Sequence, residues 1–86
     1  MDPDLIPAFR RAVRGHLADR PSVAQPAVTV NRHLRREFCS TNDEAEAALF
    51  FLESLGHLRS HYDPLGGATR SYQVTATGMI AHERGE

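Results

Sequence analysis

Apolar residues recur along this chain at two spacings, and the switch between them locates its elements. Ala45, Ala48, Leu49, Leu52 and Leu55 follow the i, i+3, i+4, i+7 rule of one helical face. From Leu58 onward the period is two: Leu58, Ser60 and Tyr62 alternate with Arg59, His61 and Asp63, and Tyr72 and Val74 alternate with Ser71, Gln73 and Thr75. The pattern predicts a helix over 41–55, then strands over 57–63 and 69–75 that flank Pro64-Leu65-Gly66-Gly67-Ala68 as the tip of a β-hairpin.

Polar residues mark the ends of these elements. Ser40-Thr41-Asn42-Asp43-Glu44 contains a capping box in two registers, Ser40 with Asp43 and Thr41 with Glu44. Gly56 is placed to take the left-handed conformation that closes the helix.

Upstream, Ile6, Phe9, Val13 and Leu17 form one face of a helix over 4–18, with Asp4 as cap, Pro7 in the first turn and Asp19-Arg20-Pro21 as the stop. Arg10, Arg11 and Arg14 fall on or beside the opposite side. Ala27-Val28 is expected to add a short strand to the edge of the hairpin. Thr29 is expected to cap a helix over 29–38 with Val30, Leu34 and Phe38 inward and Arg32, Arg35 and Arg36 outward. At the far end Thr75 is positioned to cap a short helix over 76–83, packed near the first. Three helices, a two-stranded hairpin and a short last helix make an α+β fold, the winged helix-turn-helix, as one domain over 1–86.

At 86 residues there is room for one modest core. No apolar run approaches the ~20 residues of a membrane span, and Met1-Asp2-Pro3-Asp4 is acidic where a signal peptide is basic, so a cytoplasmic protein is expected. The single cysteine, Cys39, excludes an internal disulfide and reads as a buried turn residue.

The net charge of −1 conceals an asymmetry. Up to Ser40 seven arginines face four acids; beyond it three arginines face seven. A nucleic-acid surface must therefore be a local patch.

Other chemistry is weakly supported. His57 and His61, four apart on one strand, would stand about 13 Å from each other, too far to share an ion, and His33 and Cys39 have no ligand spacing, so no metal is expected. There is no nucleophile–base pattern, and Gly66-Gly67 is too short for a phosphate loop. Neither an enzyme nor a cofactor is expected.

Leu52-Glu53-Ser54-Leu55-Gly56-His57-Leu58 resembles the helix-to-wing join of PadR-like and MarR-like winged-helix regulators, and Tyr72-Gln73-Val74-Thr75-Ala76-Thr77-Gly78 is similar to their exit from the wing. The resemblance covers about Val28 to Ile80. It implies a module whose third helix enters the DNA major groove while the wing and second helix touch the backbone. On that basis Arg32, Arg35 and Arg36 would contact phosphates, Thr41, Asn42 and Glu46 would face the groove, and Arg59, His61 and Arg70 would act from the wing. Homodimerisation is plausible on the same resemblance, with the first and last helices as the available surfaces. The third helix departs from the pattern: its outward positions include Asp43, Glu46, Ala47 and Phe50, an acidic and aromatic face where DNA readers present Arg, Lys, Asn or Gln. Those four residues define the alternative, a protein-interaction face.

Overall fold

The structure is a computed structural model that describes residues 1–62 and 69–86. A 3-10 turn (Pro3–Leu5) leads into α1 (Ile6–Ala18), followed by β1 (Gln25–Pro26), α2 (Ala27–Phe38), α3 (Asn42–Ser54), β2 (Leu58–Tyr62), β3 (Arg70–Val74) and α4 (Ala76–Glu83). The strands form one antiparallel sheet in the order β1-β3-β2. The architecture is an α+β winged helix. The expected hairpin tip, 64–68, lies outside the described residues.

α3 is capped in one of its two available registers. The Thr41 hydroxyl accepts from the Glu44 amide at 3.2 Å, and the Glu44 carboxylate accepts from the Thr41 amide at 3.0 Å. Ser40 is buried instead, with its hydroxyl 2.5 Å from the Asn31 amide group. The helix stops at Ser54, so Leu55 leaves the predicted inward stripe and is 49% exposed. Gly56 then takes φ 79°, a conformation in which a side chain would be strained.

Two starts differ from the sequence expectation. α2 begins at Ala27, not Thr29, and the edge strand is Gln25–Pro26, not Ala27-Val28. Pro26 explains both: it is extended (φ −76°, ψ 163°), it lacks the N–H that a longer ladder would need, and it serves as the residue just before the helix. At the N-terminus Asp2, not Asp4, supplies the cap, accepting from the Asp4 amide at 2.9 Å; α1 starts only at Ile6, which stays at the surface.

The core joins Phe9, Val13 and Leu17 of α1, Val30 of α2, Ala45, Ala48, Leu49 and Leu52 of α3, and Leu58, Tyr72 and Val74 of the sheet. Phe9 meets Phe38 edge to face at 5.2 Å. Between α3 and β2 the chain is pinned to the start of α4. The His57 carbonyl accepts from the Thr75 amide at 2.9 Å, the Thr75 hydroxyl donates to the Gly56 carbonyl at 2.6 Å, and it also caps α4 by accepting from the Gly78 amide at 3.1 Å. Gly78 lies so close that an added Cβ would stand 2.1 Å from the His57 carbonyl oxygen.

Arg14, expected on or beside the side of α1 opposite its apolar face, is instead buried. It is only 4% exposed, because α4 covers a second side of α1 next to the side held by α3. Its guanidinium donates to His57 Nδ1 at 3.1 Å and to the main-chain oxygen of Glu86. Burial, and then the Arg14 charge, hold the His57 imidazole below its ordinary value of 6.5. Arg10, half-buried, lies with its guanidinium 3.6 Å from the centre of the Phe51 ring, and Arg11 remains exposed.

Gly78→Ala is expected to cost on the order of 3 kcal/mol in urea unfolding, since a main-chain oxygen blocks the methyl group. Gly15→Ala should be near neutral or stabilising by up to about 1 kcal/mol, because its Cβ would meet only the movable His82 ring, at 3.0 Å. A second expectation concerns pH. Unfolded His57 takes up a proton near 6.5 while the folded residue resists it, so stability is fully present above that value and declines as pH falls below it. Thermal melts of the wild type and His57→Gln across this range should diverge, with the smaller acid loss in the variant.

Candidate nucleic-acid interface

Because α2 buries Val30 and Asn31 and packs Leu34 and Phe38 against the core, its positions 32, 35 and 36 share an outward stripe. Arg32, Arg35 and Arg36 are all exposed there. Among the described residues no carboxylate lies within ion-pair distance of any of the three. The stripe runs into the α2–α3 turn, where Cys39 adopts φ 52° and its amide donates to the Arg35 carbonyl at 2.8 Å. This left-handed reversal leaves Cys39 exposed, contrary to the buried cysteine expected from sequence.

Behind the turn the Asn31 side chain lies 3.0 Å from that of Asn42 as well as against Ser40, tying the start of α3 to α2. Of the expected groove-facing residues, Thr41 spends its hydroxyl and its amide on the capping box, and Asn42 has its side-chain oxygen beside Asn31. Glu46 is exposed one turn further on, together with Asp43, Ala47 and Phe50. Glu44 is not free: the N-terminal ammonium, 3.0 Å away, and the Thr41 amide hold its carboxyl below the usual range.

The register of the wing divides its three expected contacts between two faces. Leu58 pairs with Val74, Ser60 with Tyr72 and Tyr62 with Arg70, all on the face directed toward the helices. Arg59, opposite Gln73, and His61, opposite Ser71, occupy the other face. There His61 Nε2 lies 3.0 Å from the Gln73 side-chain oxygen, and the Gln73 amide donates to the Pro21 carbonyl at 2.9 Å. On the inner face Arg70 Nε donates to the Tyr62 hydroxyl at 2.6 Å with its guanidinium 4.8 Å from that ring. The hydroxyls of Tyr62 and then Tyr72 push the Arg70 guanidinium further up, so it stays charged.

Arg70 thereby joins the α3 face across a groove of about 520 Å³ whose walls include Val28, Glu46, Phe50, Tyr62 and Tyr72. Phe50 is 60% and Tyr62 58% exposed. Tyr62 and Val28 are members that sequence reasoning misses. Tyr62 has the parity of the buried Leu58, but it lies at the far end of β2, where none of the described helices covers it. Val28 stands in the exposed first turn of α2, where the sequence pattern suggests an edge strand. The interface thus combines a cationic stripe on α2 with an aromatic groove holding one arginine and one glutamate.

The histidines do not gather into an ion site: among the described residues no three His, Cys, Asp or Glu side chains are grouped to hold a metal. His16 and His33 stack at 4.7 Å between ring centres, with His16 Nε2 2.9 Å from the Gln25 side-chain oxygen. No helix of the described residues is long and apolar enough to cross a membrane.

No protein-family model and no curated protein matches the sequence. Among solved structures the chain is similar to a mutant form of MepR from a multidrug-resistant S. aureus clinical isolate, with a TM-score of 0.75 and 14% sequence identity over 98% of this chain. At that identity the likeness establishes the winged-helix fold. This chain spans 64% of the length of the MepR chain.

Because Phe50 contributes little to the core, Phe50→Ala should change unfolding free energy by no more than about 0.5 kcal/mol in urea titrations. Leu49→Ala, at its fully buried neighbour, should cost about 2–5 kcal/mol.

Proposed function

We propose that this protein is a winged-helix DNA-binding regulator of transcription that acts in the cytoplasm as a binding protein, with no catalytic step. The observation that carries the reading is the exposed Arg32, Arg35 and Arg36 stripe, three guanidinium groups without a carboxylate partner among the described residues. Such groups are suited to phosphate oxygens, and a stripe on the second helix would fix the module on the duplex without reading sequence. The likeness of the fold to a MarR-family transcription regulator supports the same reading.

In this scheme Arg70 works from the groove side of the wing, while Arg59 and His61 reach a neighbouring phosphate from its outer face. Thr41 and Asn42 set the start of α3, and Glu46 is the group available to accept from a cytosine amine. A homodimer would use α1 and α4, where Ile6 and Ile80 are exposed.

A second reading, a protein-interaction module acting through Asp43, Glu46, Ala47 and Phe50, is favoured by one observation: the aromatic ring of Phe50 stands open to solvent beside the groove.

Fluorescence anisotropy of a labelled duplex over a salt series tests the first reading. Arginine–phosphate binding predicts a linear fall of log K with log salt. Replacing Arg32, Arg35 and Arg36 together by alanine should flatten the slope by about 2.7, or ~0.9 per lost phosphate contact. Binding unchanged by the triple replacement would remove these residues from the interface. Absence of binding at low salt would remove the DNA reading and leave the Phe50 face as the surface to pursue.

A further inference from the structure

Val28, Phe50 and Tyr62 meet in the wing groove from three different elements, and each leaves half or more of its surface open to solvent. Among the described residues neither aromatic ring pairs with another ring. Exposed apolar surface gathered in one place marks a contact.

The groove also holds two unlike polar groups. Glu46, which accepts, and Arg70, which donates, line it together, yet among the described residues no ion pair joins them. Arg70 is held in place by the Tyr62 hydroxyl, 2.6 Å from its Nε, and by the Tyr72 hydroxyl, which leaves other N–H groups of the guanidinium for a ligand. A cation would suit the aromatic rings and Glu46 but would meet the charge of Arg70. The ligand that fits is flat, stacks on an aromatic ring, and presents donors on one edge and acceptors on another.

Nucleobases stack on aromatic side chains and expose their edges when unpaired. Among them guanine sets two donors side by side, N1–H and the N2 amine, with two acceptors, O6 and N7, on the neighbouring edge. A carboxylate accepts from the first pair and a guanidinium donates to the second.

The surroundings supply a path for a chain. Val28 lines the groove from the first turn of α2, and Arg32 and Arg35 follow four and seven positions later, the spacing of one helical face. At ~1.5 Å per residue they stand about 6 and 10 Å along the helix from Val28. The arginine stripe is therefore continuous with the groove, and a strand with one base in the groove has guanidinium groups beside it for its phosphates.

We propose that the wing groove binds an unpaired guanine of a single-stranded nucleic acid. The base stacks on Phe50, Glu46 accepts from N1–H and the N2 amine, Arg70 donates to O6 and N7, and Arg32 and Arg35 take the flanking phosphates. This goes beyond the duplex reading, because in a duplex cytosine already occupies the edge that Glu46 addresses.

The test is fluorescence anisotropy of the full chain with labelled thymidine tracts carrying a central guanine, adenine or thymine, and with the guanine strand as a duplex, all at one low salt concentration. The guanine strand should bind roughly tenfold or more tighter than the other two strands. Phe50→Ala should weaken it about tenfold, the loss of one stacked base. Glu46→Gln should remove the preference for guanine without weakening the plain thymidine tract, since it also relieves repulsion of the backbone. Both side chains are exposed, and circular dichroism melts should match those of the wild type. Unlabelled deoxyguanosine monophosphate should compete weakly; competition equal to that of the strand would make this a mononucleotide site and overturn the assignment. Equal affinity for the three strands, or a guanine preference that survives both substitutions, would also overturn it. Duplex binding that persists in Phe50→Ala would leave the duplex reading standing whatever the single strands do.

Discussion

The fold depends on a close approach of two backbones, where the chain leaving α3 crosses the chain entering α4. The His57 carbonyl accepts from Thr75, the Gly56 carbonyl accepts from the Thr75 hydroxyl, and Gly78 fits against His57 because it has no Cβ. These contacts fix both ends of the hairpin relative to the helices. Leu58 and Val74, the first and last paired residues of the wing, are thereby set over the core. They also bring His57 to Arg14, so the burial of that arginine follows from the same crossing.

Most of this arrangement was legible in the sequence where local rules and tertiary packing agree. The Thr41–Glu44 box, the turn at Gly56, the cap at Thr75 and the small residue at Gly78 are each specified by backbone chemistry within a few positions. The failures have tertiary causes. Arg14 looks solvated on an isolated helix, because a wheel assumes one buried side and α1 has two. Leu55 fits the apolar period but lies beyond the last helical turn, and Pro26, not Thr29, decides where α2 begins. Cys39 turns outward because a left-handed residue reverses the chain.

The candidate interface was partly legible for the same reason. The arginine stripe of α2 follows from helical periodicity alone, and the exposure of Phe50 follows from the wheel of α3. The groove could not be read in this way, since it combines Val28, Phe50 and Tyr62 from three separate elements. The two arginine groups also differ physically. Arg32, Arg35 and Arg36 stand in water, where a charge is inexpensive and available to a polyanion; Arg14 is desolvated and spends its donors on His57 and the main-chain oxygen of Glu86.

The ladder between β2 and β3 makes the wing chemically two-sided. Positions 58, 60, 62, 70, 72 and 74 look toward the helices, and positions 59, 61, 71 and 73 look away. Side-chain direction along a strand has a period of two, so a slip of one residue in β2 would turn Arg59 and His61 into the core and expel Leu58. The register therefore governs both the stability of the core and the outer chemistry of the wing. A change that shifted the pairing by two positions would keep the two faces distinct, whereas a shift of one would exchange them, so the hairpin is constrained by oddness and evenness more than by size.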